Sequence, residues 1–487
     1  MIDLDYFIAG RWQDDIVPAL CDYIRIPNKS PAFDPDWAAH GYMDQAARQL
    51  AAWAGRSGVR GLHTEIVALP GRTPLLYLEV APTCASTATV LLYGHYDKQP
   101  EFAGWRDGLE PWVPVQQDGR LYGRGGADDG YAMFGSLTAI AALQAADIPH
   151  ARCVLLIEGC EESGSYDLPY YVDHLADRIG QPDLVICLDA ECGNYDQLWV
   201  TTSLRGMLPG VLSVEVLTEG QHSGAAGGIV PSSFRILRHV LERIERASDG
   251  ALHPALSVSI PDAVRAQLGA VANTLGRSVI DRYPWSGTTG PETDDALELL
   301  LNNAWRPSLA TVGLGGAPDI GNAGNTLRPG TQAKLVIRLP PTLDADAVAP
   351  VIKQVLEADP PAGARVSFAL ETPQSGWCAP TVAPWLEASL ARASQRWFGR
   401  PAMYMGMGGT IPFMKMLGDR FPGVQFMVTG VLGPNSNAHG PNEFLELATA
   451  RRLTGCVADV LADHARQTLA SGKMTASTAA EPTGEPR

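Results

Sequence analysis

Four apolar runs limit what this chain can fold into: ATVLLYG at 88–94, CVLLIEG at 153–159, DLVICLD at 183–189 and VQFMVTGVL at 424–432. Each is short for a helix and too continuously apolar to leave one face in water, which suits strands buried on both faces. The helix-like YAMFGSLTAIAALQAA at 131–146 lies between the first two. The expected fold class is therefore α/β, a mostly parallel sheet covered by helices. In such sheets ligands gather beyond the carboxyl ends of the strands.

From about Leu204 to Glu371 the pattern changes. LSVEVL at 212–217 and AKLVIRL at 333–339 alternate, so Ala333, Leu335, Ile337 and Leu339 share one face of a half-buried sheet. Helices expected over 232–247 and 345–358 would cover that face. The return of the first style at 424–432 makes this α+β unit an insertion. The expected domains are 1–203 plus 373–470, with 204–372 inserted, followed by a tail at 471–487, rich in Ser, Thr, Ala, Pro and Gly, expected to be disordered.

Charge and composition exclude several functions. A formal net charge of −16, with no dense Lys/Arg run, excludes a nucleic-acid partner. With 46% hydrophobic and 18% charged residues the chain reads as globular. Its opening segment is acidic where a signal peptide is basic, and no apolar stretch approaches the roughly 18 residues that span a bilayer, so no membrane partner and a cytoplasmic location are expected. The eight cysteines are scattered without a CxxC pair, as reduced core residues rather than a disulfide frame or a thiolate zinc site.

The chemistry-bearing residues follow the strands. The run at 88–94 leads into His95 and Asp97, an imidazole with a carboxylate that can hold its second ring nitrogen. Alone, the pair reads equally well as a polar turn. The glycine-rich LYGRGGADDG at 121–130 brings Asp128 and Asp129 to the start of a helix, where one carboxylate can cap and the other is left to bridge cations. It is neither a GxGxxG nor a Walker sequence. Glu161 and Glu162 follow the next strand; adjacent glutamates suit a general base beside a metal ligand, or simply a solvated loop. Asp189 ends the strand after that, and His439 lies in SNAHGPNE at 436–443. Together His95, Asp128, Glu162, Asp189 and His439 form a donor set suited to zinc, with one carboxylate shared by two ions.

The ordered segments GHYD, GRGGADDG, EGCEESGS, CLDAE and NAHGPNE resemble the two-zinc metallopeptidases that include carnosinases, cytosolic dipeptidases, glutamate carboxypeptidases, desuccinylases and aminoacylases. The resemblance implies two zinc ions per chain, with manganese or cobalt as other candidates. His95 and Asp189 would bind one, Glu162 and His439 the other, and Asp128 both, with Asp97 orienting His95 and Glu161 activating the bridging water. It implies a zinc hydrolase domain carrying an inserted lid or dimerisation domain, hence a homodimer. In that insert His222 matches a histidine that stabilises the oxyanion across the dimer. Asn325, Thr326 and Arg338 match further substrate contacts, Arg338 being either a carboxylate clamp or a surface arginine on its strand's polar face. Gly408, Gly409 and Thr410 resemble the substrate loop of the carnosinase-like branch, where an acidic residue usually precedes the glycines. Here that position is Met407, which counts against recognition of a substrate cation at that point.

The implied reaction is hydrolysis of an amide bond in dipeptides or short peptides. The alternative is an N-acyl amino acid deacylase or desuccinylase with the same dinuclear centre. A serine hydrolase is not supported, since no GxSxG elbow occurs. Retention of Glu161 beside every ligand argues against a metal-binding pseudoenzyme.

Overall fold

The computed structural model describes residues 2–472; positions 473–487 of the expected tail lie outside the described residues. The chain divides into two compact units. One comprises Met1–Val200, Pro380–Met403 and Gly418–Arg487; the other comprises Thr201–Ala379 and Tyr404–Leu417.

In the first unit a six-stranded sheet runs in the order Leu62–Val67, Leu75–Val80, Arg152–Glu158, Thr89–His95, Leu184–Cys187, Gln425–Val428. The last four are parallel, and the first two add antiparallel at one edge. The apolar runs occupy the parallel part because strands covered on both faces have no position for a wet side chain, and every residue of Thr89–His95 is buried. Helix Ala132–Ala145 packs on that strand and against helix Leu447–Ala470, which explains its apolar surface on all sides. Gly455 permits the close approach of that second helix to helix Pro384–Phe398, since a Cβ there would strike the Trp397 ring. Among the described residues no helix is long and apolar enough to cross a membrane.

The second unit is built on a four-stranded antiparallel sheet ordered Ser308–Gly315, Gly330–Leu339, Gly206–Glu215, Arg365–Leu370. Ala333, Leu335, Ile337 and Leu339 are all fully buried on one face. Ile236, Leu237 and Val240 of helix Ser233–Leu241 pack there, as do Val348, Ile352 and Leu356 of helix Ala345–Glu357. Each Leu or Ile buried in this way contributes roughly 1.5–3 kcal/mol. The Ser232 and Asp344 side chains cap the two helices by accepting backbone N–H groups.

Two expectations need correction. The helix predicted over 232–247 ends at Leu241: Glu245 bridges back to Leu252, and Ile244 stays buried from a turn, which prolongs an apolar pattern beyond the helix that produced it. Residues 404–417, expected with the first unit, pack in the second. There Thr201 Oγ1 donates to Met407 Sδ at 3.1 Å and Arg205 Nε to the Gly408 carbonyl at 3.1 Å.

Candidate metal centre

His95 is the last residue of its strand, and its Nδ1 lies 3.1 Å from the carbonyl of Asp97. A carbonyl only accepts, so Nδ1 carries the proton and Nε2 keeps its lone pair. That Nε2 is 3.3 Å from Asp128 Oδ1 and 3.9 Å from Asp189 Oδ2. The Asp97 carboxylate comes within 3.4 Å of Nδ1, but its hydrogen bonds go elsewhere: it accepts the backbone N–H groups of Glu161 at 3.0 Å and Glu162 at 2.9 Å. Asp97 thus fixes the Glu161–Ser163 turn as well as His95.

Asp128 lies in the Gly126–Gly130 segment, entered through Gly125 at φ 80°, where any Cβ would strike the Lys98 side chain. Asp129 does not cap the following helix, whose start has no side-chain cap. It is fully buried, and its Oδ2 accepts the His95 backbone N–H at 3.3 Å. His439 arrives from a loop in which Asn435, Asn437, His439 and Asn442 all have φ between 54° and 65°. Asn and His are among the residues that best tolerate that region. His439 Nε2 is 3.1 Å from Asp128 Oδ2 and 3.3 Å from Glu162 Oε2.

Two groups of donors result, His95 with Asp128 and Asp189, and Asp128 with Glu162 and His439; within each, the ligand atoms lie within 4.8 Å of one another. Asp128 belongs to both. The set fits divalent cations on internal grounds. Glu162 Oε1 is buried with no hydrogen-bond partner, and buried carboxylates cost free energy unless charge or hydrogen bonds compensate. Without a cation, burial reinforced by Asp128 pushes the Glu162 carboxyl up to about 8 and that of Asp189 up to about 6. Burial, with Asp189, also drives Glu161 well above the carboxylate range. The neighbouring Glu162 and Asp128 carboxylates hold the imidazole of His439, which sits on an exposed loop, up to about 10. A dication reverses this pattern, leaving carboxylates ionised and imidazoles neutral.

The remaining candidates lie in the second unit. His222 is exposed and pairs across a two-residue ladder with Thr326, while the Ser223 N–H donates to the Asn325 carbonyl at 2.8 Å, so His222, Asn325 and Thr326 are neighbours. Arg338 is half-buried and donates through Nη1 to Thr410 Oγ1 at 3.0 Å, which joins it to the Gly408–Gly409–Thr410 loop. Met407 is 6% exposed. Sequence reasoning missed Arg205, which donates to the Gly408 carbonyl and whose own carbonyl accepts from Thr410 at 2.6 Å. It also missed Gln99, whose Nε2 donates to Glu162 Oε2, and Arg124 with Glu443. Arg124 and Glu443 stood inside the quoted segments, but no spacing rule assigns them a partner.

A largely parallel sheet that gathers carboxylates and imidazoles at its strand ends, in two triads sharing one aspartate, defines a metal-dependent hydrolase. The chain belongs to Peptidase family M20/M25/M40, whose model matches residues 91–463, and it is a metallopeptidase with a dinuclear metal centre. It is 25% identical over 366 residues to a Cysteinylglycine-S-conjugate dipeptidase of Corynebacterium striatum, covering 74% of this chain and 77% of that one. It is 28% identical over 277 residues to the Beta-Ala-His dipeptidase of Homo sapiens, a match spanning 55% of this chain and about half, 53%, of the relative. In fold it is similar to the solved dipeptidase Dug1p from Saccharomyces cerevisiae, with TM-score 0.79, 20% identity, and coverage of 95% of this chain and 98% of that one.

Proposed function

We propose that this chain hydrolyses the amide bond of dipeptides, using two zinc ions held by His95, Asp128 and Asp189 and by Asp128, Glu162 and His439. The observation that carries the reading is the meeting of the two triads at Asp128, with Glu161 next in sequence to the ligand Glu162. When bound, the ions polarise the scissile carbonyl and acidify the attacking water. Glu161 accepts that water's proton and delivers it to the leaving amine; with cations beside it the carboxylate is ionised and free to accept the proton. Asp97 positions this base through the backbone N–H groups of Glu161 and Glu162.

His222 serves the oxyanion. Its Nδ1 accepts the Gly224 N–H at 3.1 Å, so in the neutral ring the proton sits on Nε2, which is then a donor. Arg338, whose basicity burial lowers, binds the substrate carboxylate beside Thr410, and Asn325, Thr326, Gly408 and Gly409 complete the substrate contacts.

The first unit is the catalytic domain and the second a lid that also dimerises. Dimerisation is supported by the sheet edge at Ser308–Gly315, where Val312 and Leu314 are 58% and 64% exposed. A cytoplasmic setting is supported by the scattered cysteines. The relatives named above are dipeptidases, which supports the peptidase over the deacylase alternative; Met407 before the glycine loop is the one feature that points the other way.

The test is metal content per chain by elemental analysis, with turnover of dipeptides and N-acyl amino acids before and after chelation. Two zinc per chain with chelation-sensitive dipeptide turnover is expected. Cleavage of N-acyl amino acids alone, or turnover indifferent to chelation, would overturn the reading. Light scattering during size-exclusion chromatography checks the dimer.

A further inference from the structure

Arg124 and Glu443 form an ion pair that is 1% and 0% exposed, with Arg124 Nη1 2.7 Å from Glu443 Oε2. Such a pair is a poor source of stability by itself, because removing both charges from water offsets their attraction. The remaining contacts of the two side chains account for it better. Glu443 Oε1 accepts three backbone N–H groups, from Gly125 at 3.0 Å, Ala127 at 3.2 Å and Asp128 at 3.3 Å. Arg124 Nη2 donates to the carbonyl of Gly440, the residue after His439. One side chain therefore gathers the loop that carries Asp128, and the other ties that loop to the turn that carries His439.

The turn needs such a tie. His439 and its three asparagine neighbours hold left-handed backbone, a conformation that persists where the surroundings over-determine it. His95 and Asp189 have no comparable need, since one ends and the other closely follows a central strand of the parallel sheet.

We propose that Arg124 and Glu443 are a positioning pair that fixes Asp128 against His439, and so sets the affinity of the Asp128–Glu162–His439 metal position while leaving the His95–Asp128–Asp189 position nearly untouched. Neither residue belongs to either donor group. The inference rests on the two-metal reading above and adds an asymmetry that this reading does not require.

The test is stepwise zinc binding to chelated protein by competition with a chromophoric chelator, on the parent, Glu443→Gln and Arg124→Lys. It is accompanied by the melting temperature of each ion-free protein and by kcat and KM for a dipeptide. Outer-shell partners typically tune metal affinity 10–100-fold. Glu443→Gln is expected to weaken one zinc step by about 10-fold or more and the other by less than about 3-fold. Its kcat should be restored by excess zinc, with KM unchanged. Arg124→Lys keeps the charge but loses the two-pronged contact, so it should shift the same step by a smaller factor.

Equal weakening of both steps, or two unchanged steps in folded variants, overturns the proposal. If Glu443→Gln does not fold, Arg124→Lys decides alone by the same criterion. A parent that binds fewer than two ions overturns the two-metal reading, and the proposal with it.

Discussion

The two units carry their candidate residues in opposite ways. In the first, His95, Asp128, Asp189 and the side chain of Glu162 are nearly inaccessible and are held by strand ends, backbone N–H groups and one another, His439 alone joining them from an exposed loop. In the second, His222, Asn325 and Thr326 are exposed, and Arg338 and the Gly408–Gly409–Thr410 loop are only half-buried. Metal ligands gain from burial, because a dry, rigid cluster strengthens every charge interaction within it. Groups that must meet a substrate cannot be sealed off beforehand. On the proposed roles, the contrast separates residues that hold metal and move the proton from residues that meet the substrate or the charge it develops, and mutation should divide along the same line.

The largest effect expected is for Glu161→Gln. Losing the proton carrier should lower kcat about 10³-fold, in line with general acid–base contributions, while zinc content stays at two per chain. Residual activity within about tenfold of the parent would remove Glu161 from its role. In the second unit His222→Ala should lower kcat about 10²-fold, as loss of an oxyanion donor does, again with both metals retained. A rise in KM alone would reassign His222 to ground-state binding. Arg338→Met should raise KM for a dipeptide about tenfold with little change in kcat, and a substrate whose terminal carboxylate is amidated should be insensitive to the change. Equal sensitivity of the two substrates would return Arg338 to a purely structural role.

The same contrast governs what could be read from the sequence. The parallel core was legible at 88–94, 153–159 and 183–189, because strands covered on both faces must be apolar throughout, and the ligands were legible because they follow those runs. The alternation that put Ala333, Leu335, Ile337 and Leu339 on one face was equally direct. Less legible was anything decided by a partner distant in sequence. Asp129 looked like a helix cap but instead receives the His95 backbone N–H. Gln99, Arg205, Arg124 and Glu443 act through contacts that no local pattern encodes. The end of the 233–241 helix was obscured because Ile244 stays in the core after the helix stops.

The smallest effect, and the one that isolates the first unit, is the pH dependence of the ion-free protein. Glu162 and Asp189 are raised to about 8 and about 6 by burial and by one another's neighbours, whereas in the unfolded chain they return to about 4. The folded state therefore holds more protons than the unfolded state between about pH 5 and pH 8. Stability from this source is complete below the unfolded values and is lost as pH rises through the folded ones, at about 1.4 kcal/mol per pH unit for each extra proton held. His439, raised to about 10, acts in the same direction above about pH 6.5. Chelated protein should melt lower at pH 8.5 than at pH 5.5, and zinc should reverse the order, because its ligands bind it deprotonated. Hydrogen exchange should assign the loss to strands Thr89–His95 and Leu184–Cys187 and leave the Gly330–Leu339 strand unchanged, since that core contains no raised carboxyl of this kind. A melting temperature that rises with pH in the absence of metal would mean that the carboxylates are compensated without a cation, and the cluster would lose its claim to be built for one.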